Sequence, residues 1–201
     1  MRIEIDDIKF WMDAVRNSKD RDRTLESFWG GQLKSKEWLI DHLEKHCRFA
    51  NARVLICGGW NGVLASMLFN SKIGIKHITS LDIDPNCQEV ANTINKRQEM
   101  DMKFTAVTED MLKYNYKELH DNVIINTSCE HLTQTKYRKW LNSLPHGNLV
   151  VLQSNNYKEL DEHVNCVDSI EEFKRKSRID VTWEGELELP KYKRFMLIGR
   201  V

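Results

Sequence analysis

Arg53-Val54-Leu55-Ile56-Cys57-Gly58-Gly59-Trp60-Asn61-Gly62 is the stretch on which the reading of the chain turns. After Arg53 the run to Cys57 is apolar, β-prone and uncharged, the pattern of a strand buried on both faces. It stops at glycine. Gly58, Gly59 and Gly62 precede Val63-Leu64-Ala65-Ser66-Met67-Leu68-Phe69, a run that suits a helix. A strand, a glycine turn and a helix start let backbone pass close to a ligand and point free N–H groups at it.

Working outward, the alternation continues. Residues 77–82 read as a second strand ending at Asp82, and Pro85 suits the first position of a helix running to about Glu99. Residues 103–108 make a third strand ending before Glu109 and Asp110. A fourth covers 123–126, a helix 133–143, a fifth strand 149–153, and another helix 169–177. Strands alternating with helices predict a parallel sheet covered on both faces, with ligands at the carboxyl ends of its strands. The tail departs from this pattern: 180–187 and 192–201 are two β-prone runs with no room for a helix between them, which predicts a hairpin.

Toward the N-terminus, residues 7–17 carry Ile8, Trp11, Met12 and Val15 at helical spacing, and 18–23 are dense in charge and expected to be a solvated break. Phe28-Trp29-Gly30-Gly31-Gln32 predicts a loop, with Ser35 capping a helix over 36–48. His42 and His46 stand one turn apart on that helix without an evident third ligand, so they are read as surface histidines rather than a metal site. The expected organisation is one domain, with residues 1–50 as an arm or cap and 51–201 as the core.

Composition narrows the function. The 201 residues carry 30 basic and 30 acidic side chains, a formal net charge of zero, which removes any global case for a nucleic-acid or membrane-surface binder. Five cysteines stand singly with no C-x-x-C pair, the pattern of reduced thiols in a cytoplasmic protein. Acidic residues near the N-terminus and the lack of a long apolar run speak against a signal peptide or a membrane span.

Five parallel strands followed by an antiparallel pair resemble the class I S-adenosylmethionine-dependent methyltransferases, Rossmann-like α/β proteins with a seven-stranded sheet. The resemblance covers the chain from about Ser35 onward. It implies S-adenosylmethionine as cofactor, with Gly58, Gly59, Trp60, Asn61 and Gly62 forming its loop. Two positions depart from the family: Ile56 replaces an acidic residue and Trp60 a glycine, so the cofactor's amino-acid end must be held differently, with Lys34 or Lys36, Lys36 by preference, as the substitute contact. Asp82 corresponds to the ribose-binding carboxylate, with Ile83 beside it. Asp110 and Met111 correspond to the adenine contacts, and Asn126 to the end of the central strand.

The same resemblance makes Glu130 and His131 the catalytic pair, His131 as base or acceptor-positioning group. Some relatives have a second glutamate three residues earlier that completes a divalent-metal site. Thr127 stands there, so no metal is expected. Trp29, Gln32, Ser128 and Asn155 are assigned to the acceptor, a small molecule or RNA. Aminopropyl transfer, a lyase reaction and non-catalytic cofactor binding are the alternatives, and the protein is expected to be a monomer or homodimer.

Overall fold

A computed structural model describes residues 3–46, 50–118 and 122–201, so Cys47 and Arg48, at the end of the helix expected over 36–48, lie outside the described residues. Seven strands form one mostly parallel sheet with a C-terminal antiparallel hairpin: β1 (Ala52–Cys57), β2 (Ile75–Asp82), β3 (Phe104–Thr108), β4 (Val123–Asn126), β5 (Leu149–Asn155), β6 (Asp180–Glu188) and β7 (Lys193–Arg200), in the order β3-β2-β1-β4-β5-β7-β6. The chain comprises two compact units, Met1–Met111 and Leu112–Val201.

In the first unit β1 and β2 pair in parallel, Leu55 opposite Thr79, and β2 and β3 likewise, Ser80 opposite Ala106. Five of the six residues of β1 are buried, as its uncharged run requires. Helices α1 (Ile5–Asn17), α2 (Arg21–Glu26), α3 (Gly30–His46), α4 (Val63–Phe69), α5 (Pro85–Ile94) and α6 (Lys96–Met100) complete it. Asp7 on α1 is fully buried. Its Oδ2 accepts from Asn70 Nδ2 at 2.6 Å and pairs with Arg97 Nη2 at 2.9 Å, which ties α1 to the end of α4 and to α6.

Four local expectations are corrected. The charged segment 18–23 is not a bare break: Asp20 accepts from the Arg23 N–H at 3.0 Å, capping α2, and Thr24 is buried. The glycine pair is not a loop; Gly30 and Gly31 open α3, whose first bond runs from Leu33 N–H to the Trp29 carbonyl. The backbone cost of glycine is lowest in a first turn, whose N–H groups lack helical partners anyway. Ser35 is therefore a buried residue inside the helix, not its cap. The helix expected over 85–99 divides at Asn95, whose side-chain Nδ2 donates to the carbonyls of Ala91 at 2.9 Å and Gly62 at 3.0 Å. Such back-bonding competes with a regular helix.

In the second unit β4 and β5 pair in parallel and every residue of both is buried. β7 runs antiparallel between β5 and β6, with Leu152 opposite Leu197. On β6 the exposed positions carry Glu184, Glu186 and Glu188, charges that keep an edge strand from recruiting another. Helices α7 (Gln134–Ser143) and α8 (Ile170–Ser177) are capped by Thr133 and Ser169. Trp140 Nε1 donates to the Tyr116 hydroxyl at 2.9 Å, and Tyr137 bonds Ser177 at 2.8 Å, so these large buried rings keep their polar atoms satisfied. Cys87, Cys129 and Cys166 are free thiols. Among the described residues no helix is long and apolar enough to cross a membrane.

The Asp7 contact predicts an asymmetric response. Arg97→Met leaves the buried carboxylate with Asn70 alone and is expected to cost about 3 kcal/mol in urea unfolding. Asp7→Asn introduced with it should restore most of that loss.

Candidate functional site

The first unit's candidate residues gather at the carboxyl ends of β1, β2 and β3. Gly59 N–H donates to the Leu81 carbonyl at 2.8 Å, which draws the turn against β2 so closely that a Cβ at Gly59 would lie 1.9 Å from Ser80 Oγ. Gly62 is left-handed, with φ +75°, and a Cβ there would meet Ala91 Cβ at 2.9 Å. Asn95, buried on α5's far end, holds the Gly62 carbonyl from below. Trp60 is left-handed too, at φ 47°, where bulky side chains are rare.

That conformation has a visible result. Trp60 N–H donates to Asp82 Oδ2 at 2.7 Å, and Asp84 N–H donates to Asp82 Oδ1 at 3.0 Å. Each carboxylate oxygen takes one backbone donor and keeps one acceptor position for a ligand. Asp82 is half-buried, Ile83 beside it is exposed, and Asn61 is buried with its Nδ2 lacking a hydrogen-bond partner. A narrow cleft borders Trp60, Ser80, Asp82, Cys87 and Thr108, too tight as it stands to admit a water molecule. A wider groove on the outer surface, lined by Phe10, Asn17, Asn92 and Lys96, carries none of the expected residues. Asp110 and Met111 follow β3 and are half-buried.

Asp84 caps α5 by accepting from Asn86 N–H at 2.9 Å, and it also pairs with Arg23 of α2. The Asn86 N–H and then Arg23 hold its carboxyl below the ordinary 3.8, while burial near Asp82 pushes the Cys87 thiol up to about 12, leaving it inert. Arg23 was beyond sequence reasoning, because nothing in a charged run says which cation will find a partner.

The N-terminal candidates are placed differently from one another. Lys36 is buried on α3, and its Nζ donates to Gln32 Oε1 at 2.8 Å and to the Gln32 carbonyl at 3.4 Å, so the two expected ligand contacts bind each other. Trp29 is 75% exposed. His42 and His46 stack with ring centroids 6.0 Å apart.

In the second unit β4 ends at the fully buried Asn126, whose Oδ1 accepts from Ser128 N–H at 2.9 Å and Ser128 Oγ at 3.2 Å. A short 3₁₀ turn, Cys129–His131, then presents Glu130 and His131. Glu130 is only 2% exposed; its Oε1 accepts from Asn155 Nδ2 at 2.5 Å and lies 3.7 Å from Arg194 Nη2, while Oε2 has no hydrogen-bond partner. Asn155, expected at the acceptor, is buried and bonded at both amide ends, its Oδ1 accepting from Tyr157 N–H at 2.9 Å. Arg194 also donates to Gln153 Oε1 at 3.1 Å and to the Thr127 carbonyl.

His131 reaches solvent, yet the atoms crowded round its ring lower its pKa below the usual 6.5 chiefly by desolvation; Glu130 opposes this and His163 adds to it. That direction favours the uncharged ring at neutral pH. His163 meets His131 edge to face, with centroids 4.8 Å apart. Its distance in sequence left no spacing signal by which to find it.

No family model matches the chain and no curated protein matches it. Solved structures do. The N-methyltransferase NodS from Bradyrhizobium japonicum WM9 superposes with a TM-score of 0.66 at 14% identity, over 84% of this chain and 95% of that one. The geranyl diphosphate C-methyltransferase from Streptomyces coelicolor A3(2), bound to Mg2+, geranyl-S-thiolodiphosphate and S-adenosyl-L-homocysteine, gives 0.62 at 12% identity over 84% and 76%. MtNAS in complex with MTA and tNA gives 0.58 at 14% over 97% and 70%. The chain has the class I S-adenosylmethionine-dependent methyltransferase fold.

Two tests follow from the turn and its neighbour. Gly59→Ala should destabilise the protein by about 1–3 kcal/mol through overpacking, and Ser80→Ala in the same chain should recover most of it. For Asp84, a carboxyl whose folded pKa is depressed stabilises the fold above its unfolded value and ceases to do so as the pH falls through the folded one. Asp84→Asn, which keeps a capping side chain, should therefore lower the melting temperature at neutral pH by the equivalent of at most about 1 kcal/mol, as suits a partly exposed pair. That difference should shrink as the pH falls below 3.8 and vanish only once it has passed through the lower folded pKa.

Proposed function

We propose that the protein is an S-adenosylmethionine-dependent methyltransferase acting on a small molecule or RNA. The observation that carries this is Asp82: at the end of β2, after the glycine turn, its carboxylate is oriented by two backbone N–H groups and keeps one acceptor position on each oxygen. Two vicinal ribose hydroxyls are the donors such a group suits. Asp110 and Met111 serve the adenine, and the turn of Gly58, Gly59, Trp60, Asn61 and Gly62 the remainder of the cofactor. The fold of the methyltransferases named above supports the same reading.

Methyl transfer from a sulfonium is an in-line displacement, in which holding nucleophile, methyl carbon and sulfur in line supplies much of the rate. Glu130, buried and bonded to Asn155, is a positioning residue. His131, whose uncharged form is favoured by its surroundings, offers a lone pair on the acceptor side, together with Ser128. Lys36, Gln32 and Trp29 remain with the cofactor's amino-acid end and the acceptor. A second reading, a different group transfer from the same cofactor, draws on MtNAS with MTA among the structural neighbours.

Isothermal titration with S-adenosylmethionine, S-adenosylhomocysteine and NAD tests the cofactor: binding of the two sulfur compounds and not of NAD is expected. Asp82→Asn should weaken that binding about tenfold to a hundredfold, the worth of hydrogen bonds to a charged group. If neither sulfur compound binds, the assignment falls. Mass spectrometry of a metabolite and RNA extract incubated with isotopically labelled cofactor then distinguishes methyl transfer from the second reading by the mass added.

A further inference from the structure

In the second unit Glu130 and His131 belong to a cluster that extends beyond the acceptor side, to His163. Glu130, His131 and His163 each offer a ligand atom, and these atoms all lie within 4.8 Å of one another. Three donors about 2.1 Å from one ion stand roughly 3.4 Å apart in a tetrahedral site, so small side-chain rotations would close the set. The residues come from two places, the turn after β4 and the loop after β5, and the second place explains why Thr127 in the sequence did not settle the question.

Three features prepare the cluster for a cation. First, Glu130 Oε2 is a buried carboxylate oxygen with no hydrogen-bond partner, while Oε1 is fixed by Asn155. A buried acceptor left open in this way is costly unless something positive meets it, and Arg194 Nη2 stands 3.7 Å off on the Oε1 side. Second, His163 Nδ1 lies 2.6 Å from the Tyr157 carbonyl. A carbonyl only accepts, so the proton sits on Nδ1 and Nε2 keeps its lone pair, the tautomer a metal-ligating histidine adopts when its other nitrogen is held by the backbone. Third, His131 is open to solvent on one side, so an ion could enter and would keep positions for water or an oxygen ligand.

We infer that Glu130, His131 and His163 form a divalent-metal site of two imidazoles and one carboxylate. Two nitrogen donors and one oxygen select a first-row transition ion such as Zn2+, Co2+ or Fe2+ over Mg2+ or Ca2+, which favour all-oxygen sites. Asn155 is the positioning residue that orients the carboxylate, and the Tyr157 carbonyl does the same for His163. The inference rests on the second unit alone and stands or falls independently of the cofactor assignment.

The test is titration of chelator-treated full-length protein with Co2+, read by visible absorption, and with Zn2+, read by calorimetry. One equivalent should bind, and His163→Ala and His131→Ala should each weaken binding about tenfold or more. His131 is exposed, so its variant folds even if replacement of His163 disturbs the loop, and melting curves of both variants confirm it. His42→Ala, which breaks the stacked pair on α3, should leave the binding unchanged. Binding that is lost in His42→Ala but kept in His131→Ala, or no binding at all, overturns the site. A failure to bind S-adenosylmethionine with metal binding intact would strike only the cofactor reading.

Discussion

The first unit depends on one close approach. The chain leaves β1 and crosses the end of β2 so near to Ser80 that there is no space for a side chain at position 59. This closeness puts the Trp60 N–H on Asp82, and Asp82 in turn receives the N–H of Asp84, which caps α5. A sequence of short contacts thus fixes the turn, the acid and the next helix together. Trp60 accepts a left-handed backbone to complete it, a strain of the kind found where a site requires a particular N–H direction.

The second unit solves a different problem with buried charge. Glu130 and Arg194 are both almost fully enclosed, and neither relies on the other alone: Asn155 bonds the acid, while Gln153 and the Thr127 carbonyl bond the base. Removing both charges from water would be unfavourable without those partners. The arrangement holds the ends of β4, β5 and β7 in a defined relation, and from it the exposed His131 projects. Stability and chemistry meet in the same residues, so Glu130 orders the loop as well as any ligand it takes.

Local pattern carried much of this. The uncharged run 53–57, the alternation through β5 and the tail without a helix specify strands and helices by period and length, and Pro85, Thr133 and Ser169 mark helix starts because their chemistry acts within one turn. The same local pattern puts Asp82 at the end of β2 and Asp110 just after β3. Gly30 and Gly31 misled, because glycine favours a loop only when no tertiary surface waits for the helix that follows. Ser18 to Arg23 misled for the same reason: charge predicts solvation until a particular partner, Asp84, is in place.

By itself the sequence determined the α/β class, the strand order of appearance, the glycine turn and the acids that follow it, all features set by neighbours a few residues apart. Only the tertiary structure decided which polar groups meet. His163 reaches His131 across thirty-odd residues and Arg194 reaches Glu130 across more than sixty. Such pairings follow from the sheet bringing distant loops to one edge, and no periodicity in the chain records them.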